Sequence, residues 1–190
     1  MTTLKKVLLV CGVIVICILL VWGWYMKTYN RLVKLEETVN SAWAQVENQL
    51  QRRYDLVPNL VNTVKGYAQH EEKVLTEVTD ARARVGSAQT INDKMSANRD
   101  LTSALGRLLV VAEAYPNLKA NENFRDLQSQ LEGTENRIAT ERRRYNETVQ
   151  EFNTVIRGFL EQIVAHRMNL SRKPFFESDK AAQKAPEVKF

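Results

Sequence analysis

The chain has 190 residues, of which 44% are hydrophobic and 26% are charged. Its low content of glycine (7) and proline (4) argues against a loop-rich all-β fold, and its two cysteines exclude a disulfide framework. The net charge of +5 arises entirely in residues 1–35, which hold five basic residues and no acidic one, because the remainder carries 22 residues of each sign. A neutral remainder lacks the basic surface that nucleic-acid binding requires, so we expect no nucleic-acid partner.

The N-terminal region predicts a membrane anchor. Residues 1–6 form a short basic N-terminus, and residues 7–26 are uncharged, free of proline and long enough to cross the hydrocarbon core of a bilayer. The expected interfacial anchors are basic and aromatic side chains at the two ends of this segment, namely Lys5, Lys6, Trp22, Trp24, Tyr25 and Lys27. A cleaved signal peptide is disfavoured because the apolar run is too long. A lipoprotein signal ending at Cys11 is disfavoured because Val10 occupies the position of a small residue.

Residues 27–168 are expected to form an antiparallel, up-down four-helix bundle, so the predicted fold class is all-α. Apolar residues recur at alternating spacings of three and four from Leu32 onward, and Trp43 shares this stripe, which favours core packing over ligand contact. No glycine or proline occurs between Gly23 and Pro58, so the membrane helix should continue directly into the first bundle helix.

Two interpretations of the segment 54–58 remain open. Asp55 could cap a second helix with Pro58 in its first turn, or one kinked helix could continue through the proline. Further along, Gly86 and Ser87 end a helix, and a third helix is expected over residues 91–114, stopped by Tyr115 and Pro116. The fourth helix is expected from about residue 121, with an apolar seam that includes Phe159, and Gly158 either ends this helix or bends it.

Residues 169–190 form a partly mobile C-terminal tail in this interpretation. The tail contains two apolar spots, Phe175-Phe176 and Val188 with Phe190. Packing back onto the bundle is favoured for these residues over a role as a docking peptide.

The sequence offers no catalytic constellation, so we expect no enzymatic activity, no cofactor and no metal. His70 and His166 both lack a second ligand at the spacing of a zinc site, and no phosphate-binding glycine loop is present.

Several motifs resemble the LemA family of bacterial membrane proteins. They are spread over nearly the whole chain: Tyr29-Asn30, Ala42-Trp43, the run 51–68 with Arg53, Asp55 and Pro58, then Tyr115-Pro116 and Tyr145-Asn146. The resemblance implies a single-pass anchor and a helical bundle without established enzymatic activity. Because some family members look like lipoproteins, it also favours a bundle outside the cytoplasm.

The leading hypothesis is a non-enzymatic envelope scaffold in the bacterial cytoplasmic membrane. Its expected partners are the lipid bilayer, further copies of itself and other membrane proteins. The alternative is a membrane-tethered sensor that binds a ligand between helices and signals through a rigid stalk. A third hypothesis, a cryptic hydrolase, would require a pocket in which polar groups converge.

Overall fold

The computed structural model describes residues 3–68 and 70–176, with side chains from Leu8 onward. Every regular element in these residues is helical, which confirms the predicted all-α class. The helices are α1 (Thr3–Lys65), α2 (Glu72–Ser87), α3 (Ile91–Ala112), α4 (Pro116–Lys119), α5 (Glu122–Val155) and α6 (Glu161–Arg167).

Helix α1 is one uninterrupted helix of 63 residues with Pro58 in its interior. Of the two interpretations of segment 54–58, the continuous helix is therefore correct and the break is wrong. The apolar seam explains this outcome, since Val57, Leu60 and Val64 are all fully buried and stay in phase across the proline. The chain turns only after Lys65.

Helices α2 and α3 are joined by a short connection that begins where the sequence predicted. Helix α2 ends at Ser87. Thr90 caps α3, because its hydroxyl accepts a hydrogen bond from the Asp93 N–H (3.1 Å) and donates one to the Asp93 carboxylate (2.7 Å). Such a reciprocal cap fixes the first residue of α3.

Helix α5 begins and ends close to the predicted positions. The side chain of Asn121 accepts from the Phe124 N–H (3.0 Å) and caps its first turn. The helix ends at Val155, and the short α6 follows. A left-handed residue, Asn169 (φ 54°), closes α6 while the Leu170 N–H reaches back to the Ala165 carbonyl (3.0 Å).

Phe159 corrects one prediction. The sequence analysis placed it on the buried seam of the fourth helix, but α5 ends four residues earlier and Phe159 is 86% exposed. The prediction assumed that the helix continues to Phe159, whereas the backbone leaves the helical conformation after Val155.

The described chain divides into two compact units. The first unit holds residues 3–41 and 147–173, and the second unit holds residues 42–146 and 174–176. The buried apolar side chains of the first unit are Leu32, Val39, Val149, Phe152, Ile156, Val164 and Ala165. The core of the second unit draws on α1, α2, α3, α4 and α5, and its fully buried members include Val57, Leu60, Val64, Val78, Leu101, Leu108 and Leu118.

Candidate functional site

A buried arginine lies at the polar centre of the second unit. Arg53, on α1, is 3% exposed, and its Nη1 donates to Thr102 Oγ1 (2.8 Å) and to Glu135 Oε2 (2.5 Å). Its Nη2 donates to Asn98 Oδ1 (3.0 Å), and Asn98 is itself buried. The guanidinium therefore connects α1 to α3 and α5 within one cluster, which we call the Arg53 cluster (Arg53, Asn98, Thr102 and Glu135).

The charges and hydrogen bonds of the Arg53 cluster fit a role in joining helices better than a role in catalysis. Burial lowers the pKa of Arg53, and the neighbouring Glu135 carboxylate opposes that shift. An arginine stays protonated under all physiological conditions, so it cannot act as a general base. Asn98 and Thr102 add hydrogen bonds but no nucleophile–base pair.

Pro58 leaves one backbone carbonyl of α1 without its helical hydrogen-bond donor. A proline has no N–H, so the carbonyl four residues earlier, that of Tyr54, loses its helical partner. Arg82 on α2 supplies the missing donor, because its Nε donates to the Tyr54 carbonyl (3.2 Å). The guanidinium carbon of Arg82 also lies 3.9 Å from the centre of the Tyr54 ring. A contact between two helices thus replaces a hydrogen bond within one helix.

The backbone of Phe176, near the end of the described chain, is bound by side chains of α5. The Asn146 side-chain amide donates to the Phe176 carbonyl (2.9 Å) and accepts from the Phe176 N–H (2.8 Å). The Tyr145 hydroxyl donates to the Pro174 carbonyl (2.9 Å). Such contacts recognise the main chain, as in peptide-binding sites, because they do not depend on the side chains that follow.

The Phe176 ring is held by aromatic and cationic contacts. Its centroid lies 6.5 Å from that of Trp43, and the Arg142 guanidinium carbon lies 4.0 Å from its centre. Trp43 and Tyr145 meet edge to face at 5.3 Å, and burial raises the pKa of Tyr145 to about 12. We call Trp43, Arg142, Tyr145 and Asn146 the Phe176 seat. Phe175, by contrast, is 41% exposed, and the spots at Val188 and Phe190 lie outside the described residues.

The first unit holds its own part of the tail in a similar way. The Asn153 side chain donates to the Lys173 carbonyl and accepts from the Lys173 N–H, both at 2.9 Å. The Lys173 ammonium donates to Glu36 Oε1 (3.0 Å). A side-chain amide paired with one backbone residue is thus used in both units.

The apolar part of α1 presents its side chains outward. The 18-residue window of highest apolarity has none of its residues buried, and α1 is the one helix in the described residues that is long and apolar enough to cross a membrane. Trp22, Tyr25 and Tyr29 stack along one face with ring centroids 6.4 Å apart. Trp24 is half-buried, while Lys27 and Asn30 are exposed. The side chains of Lys5 and Lys6 lie outside the described residues.

The remaining predicted site residues have local roles. Asp55 does not cap a helix, because it lies inside α1 and accepts from Gln51 Nε2 (2.9 Å). Pro116 begins the short α4, and the Tyr115 hydroxyl donates to Glu71 Oε1 (3.1 Å), which raises the pKa of Tyr115.

The sequence analysis named one of the four residues of the Arg53 cluster and three of the four residues of the Phe176 seat. It selected Arg53, but Asn98 and Thr102 carry no sequence signal, since only the register of α3 against α1 brings them to the guanidinium. No group of three or more histidine, cysteine, aspartate or glutamate residues in the described chain could hold a metal ion.

Comparison with known proteins decides the family. The LemA family profile matches residues 42–190. The chain belongs to the LemA family.

The resemblance inferred from the motifs is therefore confirmed, and individual relatives agree with it. Magnetosome protein MamQ 2 of Paramagnetospirillum magneticum is 25% identical over 182 residues, covering 82% of this chain and 67% of the relative. MamQ of Magnetospirillum gryphiswaldense is 23% identical over the same length and coverage. Protein LemA of Metamycoplasma hominis is 24% identical over 157 residues, covering 81% of this chain and 71% of the relative. Family membership and the exposed apolar helix together indicate a membrane-associated helical protein.

Proposed function

We propose that this LemA-family chain is a non-enzymatic scaffold anchored in the bacterial cytoplasmic membrane by residues 7–26. One observation carries the proposal: α1 is a single helix whose first part is apolar and exposed and whose second part contributes Val57, Leu60 and Val64 to a buried core. A helix with this division fits a span joined without a linker to a helical domain. By analogy with lipoprotein-like family members, we place that domain outside the cytoplasm.

The helical domain is proposed to be an antiparallel four-helix bundle built from α1, α2, α3 and α5. Its support is that all four helices contribute to one apolar cluster and that short connections join them in chain order. Such connections favour antiparallel neighbours.

The scaffold role rests on how the polar side chains are used. In the Arg53 cluster and the Phe176 seat, polar side chains form hydrogen bonds with one another and with the backbone. The relatives named magnetosome proteins do not carry enzyme names, which is consistent with this role. We therefore propose that the domain acts by contact, with further copies of itself or with other membrane proteins.

The test is the mass of the full chain reconstituted in lipid nanodiscs, combined with crosslinking in native membranes. A scaffold predicts assemblies of two or more copies, or reproducible crosslinks to other membrane proteins. A strictly monomeric chain without crosslinked partners would contradict the proposal.

A second candidate function, ligand sensing, is favoured by a cleft in the second unit. The cleft has a volume of about 500 Å³, within the range of small-molecule sites. It is lined by Val61, Lys65, Glu72, Leu75, Thr76, Thr79 and Asp80. Insertion of Gly-Gly after Lys27 separates the two functions, because a tether tolerates a flexible joint whereas a signal passed through a rigid helix does not.

A further inference from the structure

Three apolar side chains that follow α5 are unusually exposed. Phe159 is 86% exposed, Ile163 62% and Leu160 48%, although they lie in the sequence between two buried residues of the first unit, Ile156 and Val164. Exposed apolar side chains that group together on a folded chain mark sites of contact with a protein, a ligand or a membrane.

Helix α6 faces the aromatic end of the proposed span. Ile163 and Arg167 line one side of a groove of about 760 Å³, and residues of α1 between Cys17 and Tyr25 line the other side. The same α1 residues include Trp22 and Trp24, whose indole rings favour the level of lipid headgroups. Ile163, the exposed apolar residue of α6, therefore shares a groove with side chains that the bilayer covers in the proposed function.

The charges around this apolar surface suit lipid phosphates. Arg157 and Arg167 are exposed and lie on either side of residues 159–163 in the sequence, and Arg167 lines the groove together with Ile163. The acid of α6, Glu161, lies 3.9 Å from Arg31 in a weak ion pair, so its charge is partly offset. Apolar side chains flanked by exposed arginines are typical of a segment that lies in the membrane interface.

We propose that residues 159–167 form a second membrane contact, in which Phe159, Leu160 and Ile163 face bilayer lipid. The occupant of the groove beside α6 is bilayer lipid. This inference rests on the proposed span, and it adds a lipid-binding surface contributed by a segment more than 130 residues away in the sequence.

The experiment measures the depth of single fluorescent labels in the full chain, reconstituted at one copy per nanodisc. Cys11 and Cys17 are replaced by alanine, and an environment-sensitive dye is attached to a cysteine at position 159, 163 or 150. Gln150 is the matched control, because it is exposed on α5 five residues before that helix ends. Quenching is measured with lipids brominated on their acyl chains and with aqueous iodide.

We expect at least threefold stronger quenching by brominated lipid at positions 159 and 163 than at position 150, with the opposite order for iodide. A further label on native Cys11, in a chain carrying Cys17→Ala, tests the span itself. If position 11 is quenched by lipid but positions 159 and 163 are not, only this inference is wrong. If position 11 is not quenched, the proposed anchor fails.

Two further outcomes exclude other occupants. Shielding of position 159 from iodide without quenching by brominated lipid would show that protein covers it, which overturns the proposal. Phe159→Asp should lower lipid quenching of a label at position 163 about twofold, whereas Val110→Asp, which alters an apolar residue of the second unit that is 73% exposed, should leave it unchanged.

Discussion

The proline inside α1 makes a quantitative prediction about Arg82. Because the Tyr54 carbonyl has lost its helical donor, Arg82→Met removes a hydrogen bond that the wild-type helix cannot replace. A charge-assisted hydrogen bond contributes about 1.5–3 kcal/mol, and the contact with the Tyr54 ring adds about 0.5–1 kcal/mol. Since Arg82 is only half-buried, we expect Arg82→Met to lower the free energy of unfolding by about 2 kcal/mol.

Arg82→Met should lower the free energy of unfolding by a smaller amount when Pro58 is replaced. In Pro58→Ala, residue 58 regains an N–H that can donate to the Tyr54 carbonyl, so Arg82→Met then removes only the ring contact, worth about 0.5–1 kcal/mol. The double-mutant cycle should therefore give a coupling energy of about 1 kcal/mol.

The assay is urea unfolding of the full chain in detergent micelles, followed by circular dichroism. Arg84→Met is the matched control, because Arg84 lies on the same helix in an exposed ion pair with Asp100 (3.5 Å). Arg84→Met should lower the free energy of unfolding by at most about 1 kcal/mol, and by the same amount with Pro58 as with Pro58→Ala. An equal cost of Arg82→Met with and without Pro58 would refute the explanation of how α1 continues through the proline.

Three further predictions concern the Arg53 cluster and the Phe176 seat. Asn146→Leu removes both the donor to the Phe176 carbonyl and the acceptor of the Phe176 N–H, so amide hydrogen exchange at Phe176 should accelerate at least about tenfold, the equivalent of one lost hydrogen bond, whereas the exposed control Asn136→Leu should change nothing. In the wild-type protein the neutral buried phenol of Tyr145 stabilises the fold fully below about pH 10, and this contribution is lost as pH rises through its pKa of about 12. In Tyr145→Phe the free energy of unfolding should therefore fall less between about pH 10 and pH 12 than it does in wild type, which a pH series of unfolding measurements checks. Arg53→Lys should lower the unfolding free energy by about 1–3 kcal/mol although the charge is kept, because one ammonium cannot reproduce the forked contacts to α3 and α5; a variant as stable as wild type in urea would contradict this.

The helical elements could be predicted from the sequence because apolar spacing decides them. The stripe containing Trp43 and the seam containing Tyr145 are helical patterns with period near 3.6, and both residues are buried as expected. The predicted ends near Ser87 and residue 121 also agree with the structure, since local caps and breakers act over a few residues.

What the sequence could not decide depends on contacts between helices. Pro58 alone favours a break, and Arg82, 24 positions later, donates the hydrogen bond that the Tyr54 carbonyl lacks in the continuous helix. The partners of Arg53 in α3 depend on helix register, which no local pattern encodes. Phe159 was misplaced for a related reason, because periodicity alone does not indicate where a helix ends.

The Phe176 seat has a practical consequence for work on shortened forms of the protein. A truncation before Pro174 would delete the residue that covers Trp43, and would leave two aromatic rings in contact with water. Such a protein would acquire an adhesive patch that the intact chain does not have, and its aggregation would be an artefact of the deletion. A shortened form of the protein should therefore retain the chain through Phe176.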